Sequence, residues 1–121
     1  MAEHNDLGRD GEDLAVDFLK NAGYKILERN WRFERKEVDI IARKENLVVI
    51  VEVKTRSTDY FGKPEESVTR AKQRFLIEAA DVYLQELGFE AEARFDIISI
   101  VKKKGVFEIN HIEEAFIPNL E

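Results

Sequence analysis

Cysteine is absent from the 121 residues, so the chain carries neither a disulfide framework nor a thiolate metal site; that suits a reducing compartment, and the cytoplasm is the expected location. Histidine is scarce. His4 and His111 lie far apart, each is read as a surface residue rather than a ligand, and zinc is set aside. No apolar run approaches the roughly 20 residues of a membrane span. The opening MAEHNDLGRD lacks the charged-then-apolar layout of a signal peptide, so no membrane partner is expected. Repeats, linkers and low-complexity segments are missing too. Positive charge is in deficit: 19 Lys and Arg face 25 Asp and Glu, a net charge of −6 that on its face disfavours nucleic acid.

What is present describes one globular domain. Hydrophobic residues make up 44% and charged residues 36%, ordinary values for a chain long enough to bury a two- or three-layer core. The charge is uneven. Glu3, Asp6, Asp10, Glu12, Asp13 and Asp17 precede a basic segment with Arg29, Arg32, Arg35 and Lys36. A second basic segment holds Lys54, Arg56, Lys63, Arg70, Lys72 and Arg74. These segments allow a phosphate-binding groove as well as plain solvated faces.

The most informative stretch is Val48 to Arg56, VVIVEVKTR. Its β-branched start reads as a strand. Alternation puts Ile50, Glu52, Lys54 and Arg56 on one face and Val49, Val51, Val53 and Thr55 on the other. A carboxylate and an ammonium thus follow directly on an apolar strand, and buried charge is costly unless paired or bound to a metal. The preceding strand, Glu37 to Arg43, folds back through a turn at Glu45-Asn46. That register sets Asp39 opposite Glu52 and Ile41 opposite Ile50. Like charges directly opposed repel, and a divalent cation between them relieves the repulsion.

In chain order, residues 8 to 22 predict a helix stopped by Gly23, with Leu14, Ala15, Val16, Phe18, Leu19 and Ala22 as its apolar face. Glu12 falls inside that face; a first-turn dipole role is the plainer alternative to a site role. Tyr24 to Phe33 predicts a strand, irregular near Asn30, with Trp31 and Phe33 in the core. Ser57 to Lys63 is a loop, and Pro64 to Leu87 is one helix, or two broken near Thr69, closed by Gly88. Its expected face is Val68, Ala71, Phe75, Leu76, Ala79, Val82, Tyr83 and Leu87. Lys72 projects into this face, either snorkelling or meeting the carboxylates, while Arg70 and Gln73 lie off it. Arg94 to Lys102 and Val106 to Ile112 are strands, with Asp96 read as a structural partner of Arg94 and an acidic tail from Glu113.

The order helix, strand, strand, strand, helix, strand predicts an α/β/α sandwich around a mixed sheet. Asp39, Glu52, Glu12 and Lys54 together suit metal-assisted phosphodiester hydrolysis, with Mg²⁺ or Mn²⁺ favoured by oxygen ligands. Lys54 either handles the attacking water or stabilises developing charge. Arg56, Arg70, Lys72 and Gln73 are the candidate nucleic-acid contacts.

Asp39 followed by Glu52-Val53-Lys54 resembles the Asp…Glu-x-Lys motif of the restriction-endonuclease-like, PD-(D/E)xK nuclease superfamily. The wider pattern spans nearly the whole chain: Gly8…Gly11-Glu12…Ala15, Gly23-Tyr24, Asn30, Glu37 to Ala42, Val51 to Arg56, Phe61-Gly62, Lys72 and Arg94-Phe95-Asp96. It resembles the bacterial YraN-type family, a largely uncharacterised group similar to Holliday junction resolvases. The resemblance implies a nuclease fold with Asp39 and Glu52 as metal ligands, Lys54 as catalytic lysine and Glu12 as the helix-borne acid completing the site. One position departs from the pattern. Lys36 stands where the family usually has glycine, and the expected consequence is an added phosphate contact or an altered turn.

Three functions compete. The first is a metal-dependent endonuclease on DNA rather than RNA, with branched or junction DNA as substrate. The second is a nucleic-acid-binding protein that keeps the fold without cutting. The third is a structural ion-pair cluster of Asp39, Lys54, Glu52 and Lys72. Cutting a four-way junction twice calls for a homodimer, and nothing in the sequence marks a dimer face.

Overall fold

The computed structural model describes residues 3–56 and 68–118, with side chains from residue 9 onward. The expected loop at Ser57–Lys63, with Gly62, and the helix opening at Pro64 lie outside the described residues. The elements run α1 (Glu3–Asn21), β1 (Lys25–Phe33), β2 (Lys36–Lys44), β3 (Leu47–Arg56), α2 (Arg70–Glu86), β4 (Glu92–Lys103) and β5 (Val106–Phe116). All five strands join one sheet in the order β1-β2-β3-β4-β5. Pairing is antiparallel except between β3 and β4, which run parallel across the α2 connection. The chain is therefore α/β, with a mixed sheet and two helices.

Alternation along the central strands divides the core in two, one helix to each face. Ala15, Val16 and Leu19 of α1 pack with Ile40, Ala42, Val49, Val51, Ile98 and Ile100. Phe75, Leu76, Ala79, Ala80 and Tyr83 of α2 pack with Ile41, Val48, Ile50, Phe95 and Ile97. Each fully buried Ile, Leu or Val contributes about 1.5–3 kcal/mol, so these two layers hold the strands in register.

Several boundaries differ from expectation. α1 begins at Glu3, so Glu12 sits well past the first turn and its dipole reading is dropped. α2 starts at the Thr69 break, where the threonine side chain accepts the Lys72 N–H. Its C-cap is Leu87 in extended backbone rather than a left-handed Gly88. Ala80, not Val82, belongs to the buried face of α2, and Ala71 and Ala22 are exposed. β5 continues to Phe116 and absorbs the start of the expected acidic tail, since the Glu114 N–H donates to Asp96 (3.0 Å).

His111 corrects the surface reading. Its side chain is only 9% exposed, its Nε2 lies 2.7 Å from Asp96, and it meets Phe18 and Tyr24 edge-on. Asp96 is wholly buried and takes two further bonds from Arg94 (2.9 and 2.8 Å), so it is structural, as expected. Burial raises the Asp96 pKa, but the bonds from His111, Arg94 and the Glu114 N–H outweigh it and leave it below its ordinary value.

Candidate active site

The site forms where two strands part. β2 and β3 pair from Lys44↔Leu47 to Ile40↔Val51, the register read from the sequence, including Ile41↔Ile50. Beyond Ile40 the pairing stops and the Val53 N–H donates to Asp39 Oδ2 instead (2.8 Å). Asp39 and Glu52, the next residues on either side, occupy this fork. The backbone beside the fork is irregular. Asn30 of β1 has φ +52, and Val38 and Ile41, three residues apart, both face α2. Strict alternation would have put them on opposite faces.

Glu52 follows Ile50 on the α2 side and is 5% exposed. Its Oε2 faces two ammonium groups, Lys54 at 3.4 Å and Lys72 at 3.6 Å. The inward lysine of α2 thus meets the carboxylates rather than snorkelling away. Glu52 Oε1 is buried with no hydrogen-bond partner among the described residues. An orphaned buried carboxylate oxygen is costly. Burial, and next the charge of Glu52, push Asp39 up to about 7; Glu12 adds to the rise, while the Val53 N–H and Lys72 oppose it. Glu52 and Glu12 therefore both act on Asp39 electrostatically.

Glu12 reaches the site because α1 comes close to the end of β3. A Cβ on the buried Gly11 would overlap the Thr55 side chain. The neighbouring Glu12 accepts a bond from Asn30 Nδ2 (3.2 Å) and lies 3.5 Å from Arg29, which also holds Asp13 at 2.7 Å. Among the described residues no three carboxylate or imidazole groups converge into a ready metal cage. The all-oxygen pair, with one oxygen unsatisfied, fits a hard cation that keeps several of its own waters, as Mg²⁺ does.

The candidate nucleic-acid contacts separate. Lys72 belongs to the carboxylate cluster, and the Gln73 amide donates to the Val68 carbonyl (3.2 Å). Arg70 is exposed at the start of α2, and Arg56 is half-buried at the end of β3. Sequence reasoning marked Asn30 as an irregularity but missed its bond to Glu12; an amide residue at a strand irregularity is the signal that was there. Lys36 pairs with Phe33 at the hairpin, and the left-handed residue of that turn is Glu34 (φ +58). The lysine therefore imposes no backbone strain.

A mixed-sheet α/β protein with carboxylates and lysines gathered at a strand fork is the class that fold and site define. The model of uncharacterised protein family UPF0102 matches residues 11–100. A UPF0102 protein from Flavobacterium psychrophilum is 53% identical over 116 residues, covering 96% of this chain and 98% of that relative. One from Bacteroides thetaiotaomicron is 50% identical over 120 residues, covering 99% of each. The chain belongs to the UPF0102 family, the YraN-type family of the sequence pattern. Among the described residues no helix is long and apolar enough to cross a membrane.

Proposed function

We propose that this protein is a divalent-metal-dependent endonuclease with a restriction-endonuclease-like core, hydrolysing phosphodiester bonds of DNA, branched or junction forms included. The fork between β2 and β3 carries this reading, because it sets a buried Glu52 beside a half-buried Asp39 and leaves Glu52 Oε1 without a partner among the described residues. Asp39 and Glu52 would hold Mg²⁺ or Mn²⁺, with Glu12 completing the negative charge of the site. The cation, when bound, polarises the phosphate and acidifies a water.

The remaining work falls to this chain's own groups. Lys54 lies 3.4 Å from Glu52, in place to orient the attacking water or offset charge developing on the phosphate. Lys72 adds a second positive charge from the α2 side. The Val53 N–H fixes the Asp39 carboxylate, and Asn30 with Arg29 fixes Glu12. The alternative is a nucleic-acid-binding protein that keeps the fold without cutting. Its specific support is that both lysines pair with Glu52, which offsets the charge a cation would otherwise meet.

End-labelled single-stranded, duplex, flap and four-way-junction DNA, incubated with Mg²⁺, Mn²⁺ or EDTA, separates the two. The expected result is metal-dependent cutting that Glu52→Gln abolishes while its melting curve stays cooperative. Binding without cutting on every substrate favours the alternative. Equal cutting by Glu52→Gln refutes the site.

A further inference from the structure

A cleft of about 660 Å³ lies between the β1–β2 hairpin and α2. Arg35 and Lys36 line it from the hairpin, and Arg74 and Phe75 line it from the helix. It therefore joins the two basic segments that the sequence keeps some forty residues apart. Glu34 and Glu78 share the lining, yet neither Arg35 nor Arg74 has an ion-pair or hydrogen-bond partner among the described residues. Three cations against two carboxylates make this a locally positive place on a chain of net charge −6.

The Phe75 ring stands between the cleft and the lysine that meets Glu52. Lys36 Nζ lies 5.5 Å from the centre of the Phe75 ring, and Lys72 Nζ lies 5.7 Å from the same centre. Lys72 in turn lies 3.6 Å from Glu52. One aromatic ring, with an ammonium belonging to the cleft and another belonging to the site, thus links the two. Unpaired guanidinium groups suit phosphate, which they grip as planar forks. Phe75 belongs to the core and offers no stacking face, so the cleft grips through its cations, which suit the phosphates of a nucleic-acid strand. The volume falls within the ~300–1,000 Å³ of clefts that hold one ligand-sized group. A single strand fits a cleft of that size.

We propose that this cleft carries the phosphodiester backbone of an unpaired DNA strand running from the carboxylate fork, with Arg35, Lys36 and Arg74 on its phosphates. The substrate is then DNA with a single-stranded arm rather than a continuous duplex. The inference rests on the nuclease reading for its direction, but it is tested by binding alone.

The test is fluorescence anisotropy in EDTA with a labelled single-stranded DNA 20-mer, a blunt duplex and a flap, each titrated at several salt concentrations. The protein is compared with Arg35→Ala/Lys36→Ala/Arg74→Ala, with Arg35→Lys/Arg74→Lys, and with Lys20→Ala/Lys25→Ala near the far end of α1. The triple variant is expected to lose at least tenfold in affinity for the single strand and flap. Its salt slope should fall by about 2, since each phosphate contact on a single strand contributes roughly 0.7. The lysine double variant should keep most of the binding, and the distal variant all of it within twofold. Unchanged binding by the triple variant, an equal loss in the distal variant, or no single-strand binding by the parent would overturn the proposal. Loss of binding in the triple variant, from a parent that cuts nothing, would retain the cleft and remove the nuclease.

Discussion

Asp39 makes the metal-free protein less stable as pH rises from 5 to 8, and Asp39→Asn is expected to remove that loss. Its ordinary pKa is 3.8 and in the fold it stands at about 7, chiefly through burial and then through the charge of Glu52. The folded state therefore holds this proton more tightly than the unfolded chain does. Between about pH 4 and 7 the folded protein binds more protons, so stability falls as pH rises and levels off above 7. The gap between 3.8 and about 7 corresponds to ~4 kcal/mol over the whole titration, of which ~2.7 kcal/mol falls above pH 5 as an upper bound for the assay. Asp39 is only half-buried, and solvent reaching its carboxylate brings the expected loss nearer ~2 kcal/mol. For a domain of this size that is roughly 6–12 °C in Tm. Asp96 does not mask the effect: its pKa is lowered, so its contribution is present above pH 4 and is lost only on stronger acidification. The assay is urea or thermal unfolding in EDTA at pH 5, 6, 7 and 8. Asparagine keeps the side-chain shape and an oxygen for the Val53 N–H, so the variant should be flat across this range and more stable at pH 8. A parent with equal stability at pH 5 and 8, or a variant with the parent's slope, would refute the reasoning.

Other parts of the structure make their own predictions. Arg94→Ala strips the buried Asp96 of its bidentate partner and should cost about 3–5 kcal/mol in urea unfolding. Gly11→Ala pushes a methyl group into the rigid Thr55 side chain and should destabilise by about 1–3 kcal/mol. Adding Thr55→Ala should recover part of that loss, a non-additivity of at least ~0.5 kcal/mol in a double-mutant cycle. Asn30→Ala frees Glu12 and removes a left-handed residue in favour of one that tolerates that backbone less well. It should lower kcat for DNA cleavage more than it raises KM, as loss of a positioning residue does.

Much of the site was legible because its signals are local. Charge directly after an apolar run marked Glu52 and Lys54, and the length of the Glu45-Asn46 turn set the register that the strands adopt. Lys72 was marked by its place on the helix, since an inward ammonium needs a carboxylate to meet. What escaped depends on distant parts of the chain. Nothing near His111 in the sequence says that Phe18 and Tyr24 cover it or that Asp96 lies beneath it. Nor could β5 be followed past Ile112, because Glu113 and Glu114 look like a tail until Asp96 supplies an acceptor for a backbone N–H. Nor does periodicity report that Asn30 and Arg29 hold the Glu12 carboxylate, since it does not give their side-chain directions.

The central claim is that Asp39 and Glu52 form a cation site rather than a closed cluster with the two lysines. Mn²⁺ binding followed by electron paramagnetic resonance tests it most directly, with the parent, Asp39→Asn and Glu52→Gln side by side and Mg²⁺ as competitor. The expected result is saturable Mn²⁺ binding by the parent, displaced by Mg²⁺ and weakened at least tenfold in both variants. A parent that leaves Mn²⁺ free, or variants that bind it as tightly as the parent, would contradict the claim.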